Sequence, residues 1–207
     1  MPAICISHAT GAGGADVGRR VSDRLGLRYA DDEVISGAAE WADVDPELVA
    51  DVERRRSLIA RLLGNVQPAP RLPSGGTSRT LLSDSDLRAV IVDAVASLVR
   101  EGGVVIVAHA ASFTVGAGDA LRVLVTASAP VRSARIAAER GISVGEAEKA
   151  TREEDGGRAE YLKRFYGVEQ ELPTHYDLVV STDVLSPDEA ADVVIAAASR
   201  ASASAPA

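Results

Sequence analysis

The sequence predicts an α/β fold, a parallel sheet covered by helices on both faces, and three observations carry that prediction. Nearly unbroken apolar runs recur at Val104-Val-Ile-Val-Ala108, Arg122-Val-Leu-Val-Thr126 and Tyr176-Asp-Leu-Val-Val-Ser181. Such runs suit strands buried on both faces. Segments with helical spacing of apolar residues lie between them, the alternation expected of a layered α/β domain. The chain also opens with a short apolar strand that enters a Gly-rich turn and passes directly into an amphipathic helix.

Ala3 to Ser7 reads as that first strand. The helix after it, about Ala15 to Leu25, places Val17, Val21 and Leu25 on one stripe and turns Arg19, Arg20, Asp23 and Arg24 largely outward. Gly26 ends it, and Leu27-Arg-Tyr29 is a short strand closed by Asp31-Asp-Glu33. From about Ser36 to Ser85 the pattern changes. A short helical region with Leu48, Val52, Leu58, Ile59, Leu62 and Leu63 precedes a Pro-, Gly- and Ser-rich stretch, Pro68 to Arg79. That stretch is too rich in turn residues to pack as regular structure, so 36–85 reads as an insertion in a single domain spanning 1–207.

Helical periodicity returns from Asp86 to Glu101 through Leu87, Val90, Ile91, Ala94, Val95 and Leu98, and Gly102-Gly103 breaks it before the next strand. A helix follows Ser128-Ala-Pro130. Another starts at Ser143, which can cap while Glu146 reciprocates. Ser186-Pro-Asp-Glu189 repeats that signal with Pro at the first helical position. After Ser199 the small-residue tail, 200–207, is expected to fray.

Composition narrows the function. The formal charge of -8 disfavours a general nucleic-acid-binding role, although a local basic cluster can still hold a phosphate. The lone Cys5 excludes an intramolecular disulfide and reads as a small buried hydrophobe. No run approaches the ~20 apolar residues of a membrane span, and no basic leader with a cleavage site is evident, so a soluble cytoplasmic protein is expected. A homodimer is compatible with the sequence, because an interface stripe and a core stripe share one periodicity.

In a doubly wound sheet, ligands collect beyond the carboxyl ends of the strands. Three segments converge there: the Gly-rich turn, the residues after Ala108 and those after Thr126. Gly11, Ala12, Gly13, Gly14 and Ala15 form a turn whose backbone amides and helix end suit a phosphate, or simply a tight strand–helix junction. Asp16, in the first helical turn, is either a helix-capping device or a ligand for a divalent cation beside that phosphate. Arg132 and Arg135 begin the helix beyond a central strand, and Arg152, Asp155 and Arg158 follow at three-residue spacing. Guanidinium forks match the spread charge of a transferring phosphoryl group, while the many nearby glutamates offer a solvated, ion-paired surface instead. His109, after the central strand, could bind phosphate, donate a hydrogen bond, act as a base or cap the strand. His8 adjoins the turn, and His175 has no Cys or His near it that would make a zinc site.

Taken in order, Gly11-Ala-Gly-Gly-Ala-Asp-Val-Gly18, Val104 to Ala110, Arg122 to Ser128 with Arg132 and Arg135, Thr151-Arg-Glu-Glu-Asp-Gly-Gly-Arg158 and Tyr176 to Thr182 resemble the cytidylate kinase-like family. The resemblance spans roughly Ala3 to Ala196 and is weakest in 36–85. It implies a three-layer P-loop kinase-like fold, with 36–85 as a monophosphate-binding insertion and 140–167 as a lid-like helical segment. It implies Mg²⁺-dependent transfer of the ATP γ-phosphate to CMP or another small nucleotide. Gly11 to Gly14 would hold the donor phosphates, Arg152 and Arg158 would neutralise the transferring group, and Arg132 would be structural or touch nucleotide.

The chain departs from proper cytidylate kinases in three places. Set against G-x-x-x-x-G-K-[ST], Gly14 replaces the phosphate-loop lysine and Ala15 the metal-binding hydroxyl. His109, within Ala108-His-Ala110, stands where an arginine is expected. A single well-placed donor in such a site is worth roughly 3 kcal/mol of barrier. Two further readings therefore accompany the kinase-like one. One is a catalytically degenerate P-loop protein that senses nucleotide or binds a protein partner. The other is an interaction protein that uses 36–85 as its contact surface.

Overall fold

A computed structural model describes residues 3–31, 84–108 and 110–204. The 36–85 insertion therefore lies outside the described residues, apart from the start of one helix, and His109 lies outside them altogether. Five strands, β1 (Ala3–His8), β2 (Arg28–Ala30), β3 (Val104–Val107), β4 (Ala120–Thr126) and β5 (Leu178–Ser181), form one sheet in the order β2-β3-β1-β4-β5. Every pairing is parallel. Helices α1 (Gly14–Leu25), α2 (Asp84–Glu101), α3 (Ala129–Arg140), α4 (Val144–Tyr166) and α5 (Pro187–Ser204) complete the described elements, with short 3₁₀ turns at Ala111–Phe113 and Pro173–His175.

The alternation of side chains along each strand divides the core in two. Ile4, Ile6, Val105, Val107, Val123 and Val125 face Val17 and Val21 of α1 and Ala190, Ala191 and Val194 of α5. Ala3, Cys5, Val104 and Ile106 face the other way and meet Val95 of α2. Burial pushes the Cys5 thiol up to about 12, consistent with an inert core residue. Gly18 sets how closely α1 can approach the sheet, since a Cβ there would fall 2.4 Å from a Val107 methyl.

Both expected capping boxes form. Glu146 N–H donates to Ser143 Oγ at 3.3 Å while Ser143 N–H donates to the Glu146 carboxylate at 2.9 Å. Ser186 and Glu189 repeat the exchange at 3.3 and 2.8 Å. Element ends shift by a residue or two. β5 starts at Leu178 rather than Tyr176 because Asp177 is engaged by Arg122, whose guanidinium and amide both donate to its carboxylate. The last helix runs to Ser204, in keeping with the high helix propensity of its alanines.

Candidate functional site

The site is built around the turn that carries the chain from β1 into α1. β1 is the central strand, and the chain leaves it for β2 and β3 on one side before crossing to β4 and β5 on the other. The turn therefore sits at the point where strand order reverses, beside the carboxyl ends of β3 and β4.

The turn's backbone is unusual at two glycines. Gly11 and Gly13 have φ of +78° and +76°, a region that side chains disfavour. Gly11 also presses on Arg132, where a Cβ would fall 2.9 Å from its carbonyl oxygen. Three consecutive carbonyls are gripped from one side. Arg132 Nη1 donates to Thr10 O at 3.2 Å, Arg135 Nη1 to Gly11 O at 3.3 Å and Thr182 Oγ1 to Ala12 O at 2.9 Å. Because each peptide is planar and trans, the amides of Gly11, Ala12 and Gly13 point away from those partners. The Ala12 amide closes a tight turn on Ala9 O at 3.0 Å. Those of Gly11 and Gly13 do not, and Gly14, Ala15 and Asp16 begin α1, where no earlier helical carbonyl can take their amides. These donors, set at a helix N-terminus, make a concave nest of the kind that holds phosphate.

The grip on the loop is itself braced. Arg132, only 6% exposed, also donates to Ala127 O at 3.0 Å and forms a two-pronged pair with Asp155 of α4 at 2.8 and 2.7 Å. Arg135 adds Thr182 Oγ1 at 2.9 Å and Thr182 O at 2.5 Å. Ser133 and Thr151, both buried, link α3 to α4 at 3.1 Å. α4 is thus fastened to the β1–α1 turn through α3.

Arg158 lies one turn after Asp155 and is turned inward. Its guanidinium pairs with Glu171 at 2.8 and 2.5 Å and reaches His8 O at 3.4 Å. Tyr176 Oη donates to the Glu171 carboxylate. Burial works against the charge of Arg158, but Glu171 and Tyr176 outweigh it and hold the pKa above the ordinary range. Burial likewise pushes Glu171 up, and Arg158 overcomes it, leaving the carboxyl below its ordinary value. Arg152, by contrast, is exposed on α4 and makes no side-chain hydrogen bond or ion pair among the described residues. Several of the neighbouring charges are paired, including Arg140–Glu154 at 3.2 Å and Lys163–Glu169 at 2.7 Å.

An aromatic wall stands beside this network. Phe113, just past β3, meets Tyr166, His175 and Tyr176 with ring centroids 5.9, 5.5 and 5.8 Å apart. Ser7, near the end of β1, donates to Ser112 in the 3₁₀ turn after β3 at 3.1 Å.

Of the residues expected from sequence, the structure brings together Gly11 to Asp16, Arg132 and, at the loop entry, Arg158. Glu171 had no assigned part, and Tyr176 and Thr182 entered only as the ends of the last segment that carries the family resemblance, without a role of their own. For ATP, the amides of the turn are donors that phosphate oxygens could accept from. For Mg²⁺, Ala15 offers no hydroxyl and no cluster of three or more His, Cys, Asp or Glu exists among the described residues. Asp16 is exposed in the first turn of α1, and magnesium often takes one carboxylate plus substrate phosphates.

The model of the cytidylate kinase-like family matches residues 3–184, nearly the whole chain. The chain belongs to the cytidylate kinase-like family. Solved structures agree on the fold. A protein from Eubacterium ventriosum ATCC 27560, described only as uncharacterized, is 12% identical with a TM-score of 0.64, covering 96% of this chain and 99% of that one. Shikimate kinase from Bacteroides thetaiotaomicron is 13% identical with a TM-score of 0.52, over 93% and 95% of the two chains. Shikimate kinase from Acinetobacter baumannii, solved with shikimate, is 12% identical with a TM-score of 0.51, over 94% and 91%. No curated protein sequence matches the chain. The three-layer P-loop kinase fold and the family expected from sequence are both found, and together they describe a nucleotide-binding, kinase-like protein. No helix among the described residues is long and apolar enough to cross a membrane.

Proposed function

We propose that this protein binds ATP at the Gly11–Ala15 nest and transfers the γ-phosphate to CMP or a similar small nucleotide. The observation that carries the reading is the threefold grip on Thr10, Gly11 and Ala12, which orients the amides of Gly11 and Gly13 for an anion before one arrives. Such preorganised donors are the main source of catalysis in phosphoryl transfer, where positioning and charge do the work. Asp16 would hold a magnesium ion that shields the phosphate charge. Arg152, exposed on α4, would neutralise the group in transfer, and Arg158 would fix the loop entry through His8 O. The acceptor preference rests on the family alone.

A second reading, binding without transfer, is favoured by Gly14 and Ala15, which lack the lysine and hydroxyl of a standard phosphate loop. Calorimetry with ATP and CMP, separately and together, with and without Mg²⁺, followed by a product assay, separates the two. Mg²⁺-dependent ATP binding that tightens with CMP and yields CDP supports the transferase. Binding without product supports the sensor or interaction module, and no binding removes both.

A further inference from the structure

We infer that His8 supplies the side-chain phosphate contact that position 14 no longer can, so that the cation of the loop comes from the end of β1 instead of the start of α1. The inference rests on the nucleotide-binding reading of the nest. When the second glycine of G-x-x-x-x-G-K-[ST] is set on Gly13, the first glycine falls at position 8 and the lysine at position 14. This chain has His8 and Gly14. The bulky polar residue and the glycine have exchanged places.

The structure shows why the exchange is mutual. A Cβ built on Gly14 would lie 2.2 Å from His8 Cβ, 2.4 Å from its Cγ and 2.8 Å from its Cδ2. The imidazole occupies the space where any side chain at position 14 would begin. A lysine at 14 and a side chain at 8 therefore exclude each other, and the glycine is a consequence of the histidine. The His8 ring is partly exposed beside the first turn of α1, with Nδ1 3.4 Å from Ala9 O, an acceptor that requires Nδ1 to donate. The backbone of His8 is held by Arg158, whose Nη1 reaches its carbonyl at 3.4 Å. With Nδ1–H engaged by Ala9 O, protonation of the ring makes Nε2 a donor to a phosphate oxygen and brings the charge the lysine would have brought.

The test titrates Mg-ATP by calorimetry into the full chain and into His8→Asn, Gly14→Lys and the double variant H8G/G14K, with thermal unfolding of each. His8→Asn keeps a planar polar side chain and is expected to weaken ATP about tenfold or more, the size of one charge-assisted hydrogen bond. Gly14→Lys alone is expected to lower the unfolding temperature, and removing the His8 side chain in H8G/G14K to restore it together with ATP affinity within a few-fold of wild type. ATP binding unchanged in His8→Asn, or a Gly14→Lys protein as stable as wild type, would overturn the inference while leaving the nucleotide site intact. If His8→Asn does not fold, the double variant decides: folded and ATP-binding supports the exchange, folded and unable to bind ATP refutes it. Failure of the wild type itself to bind Mg-ATP would sink both this inference and the reading beneath it.

Discussion

Thr182→Val removes one hydroxyl and little volume, and it tests the grip on the loop directly. Thr182 is 1% exposed, and its hydroxyl donates to Ala12 O at 2.9 Å while accepting from Arg135 Nη1 at 2.9 Å. With valine, the Ala12 carbonyl loses that partner and Arg135 retains two of its three contacts. A buried polar group left unsatisfied costs about 1–3 kcal/mol. In a domain of this size each kcal/mol moves the midpoint by about 2–4 °C, so a fall of roughly 2–12 °C is expected. Thr182→Ser keeps the hydroxyl and loses one methyl, worth about 0.8 kcal/mol, so its fall is smaller. Because the Ala12 carbonyl and the Gly13 amide share one peptide plane, the valine variant also weakens ATP binding, whereas the serine variant retains it. The assays are thermal unfolding by circular dichroism and calorimetric ATP titration. Equal stability and equal ATP affinity in the two variants would refute the argument that the carbonyl grip orients the nest.

Gly18→Ala gains about 1 kcal/mol of helix propensity but drives a methyl into Val107, and overpacking of that kind costs about 1–3 kcal/mol. A net loss of up to about 2 kcal/mol is expected in denaturant unfolding, relieved when Val107→Ala is added. The depressed pKa of Glu171, set by burial pushing up and Arg158 pulling further down, adds stability above its unfolded value near ~4.3. That contribution is lost as pH falls from there through the folded value, so Glu171→Gln is expected to flatten the acid limb of a pH–stability curve and leave its slope at pH 6–8 unchanged. Arg152→Ala should shift stability by no more than about 0.5 kcal/mol, as an exposed side chain without partners among the described residues does, while lowering phosphoryl transfer in the product assay.

Much of the fold was legible because its signals are local. Val104 to Val107 reads as a buried strand from four consecutive β-branched residues, and Ser143 with Glu146 announces a helix start within four positions. The glycines of the turn are equally local, since positive φ is a property of the residue itself. What escaped depends on distance in sequence. Arg135 meets Thr182 across 47 positions and Arg132 meets Asp155 across 23, so no periodicity links them. Arg158 stood out in the sequence as an arginine at three-residue spacing, but its two-pronged pair with Glu171 forms only when the chain after α4 returns beside that helix. The missing lysine at position 14 was visible in the sequence; the imidazole filling its place was not, because only the curl of the loop brings position 8 against position 14.

The central claim is that the amides of the β1–α1 turn receive the phosphates of ATP. It is tested most directly by following the backbone ¹H–¹⁵N resonances of Gly11, Gly13, Gly14 and Ala15 while Mg-ATP is added. The account predicts saturable shifts that are largest at these four amides, with smaller ones at Arg132 and Thr182. Saturable ATP binding that leaves those amides unmoved, or no binding at all, would contradict it.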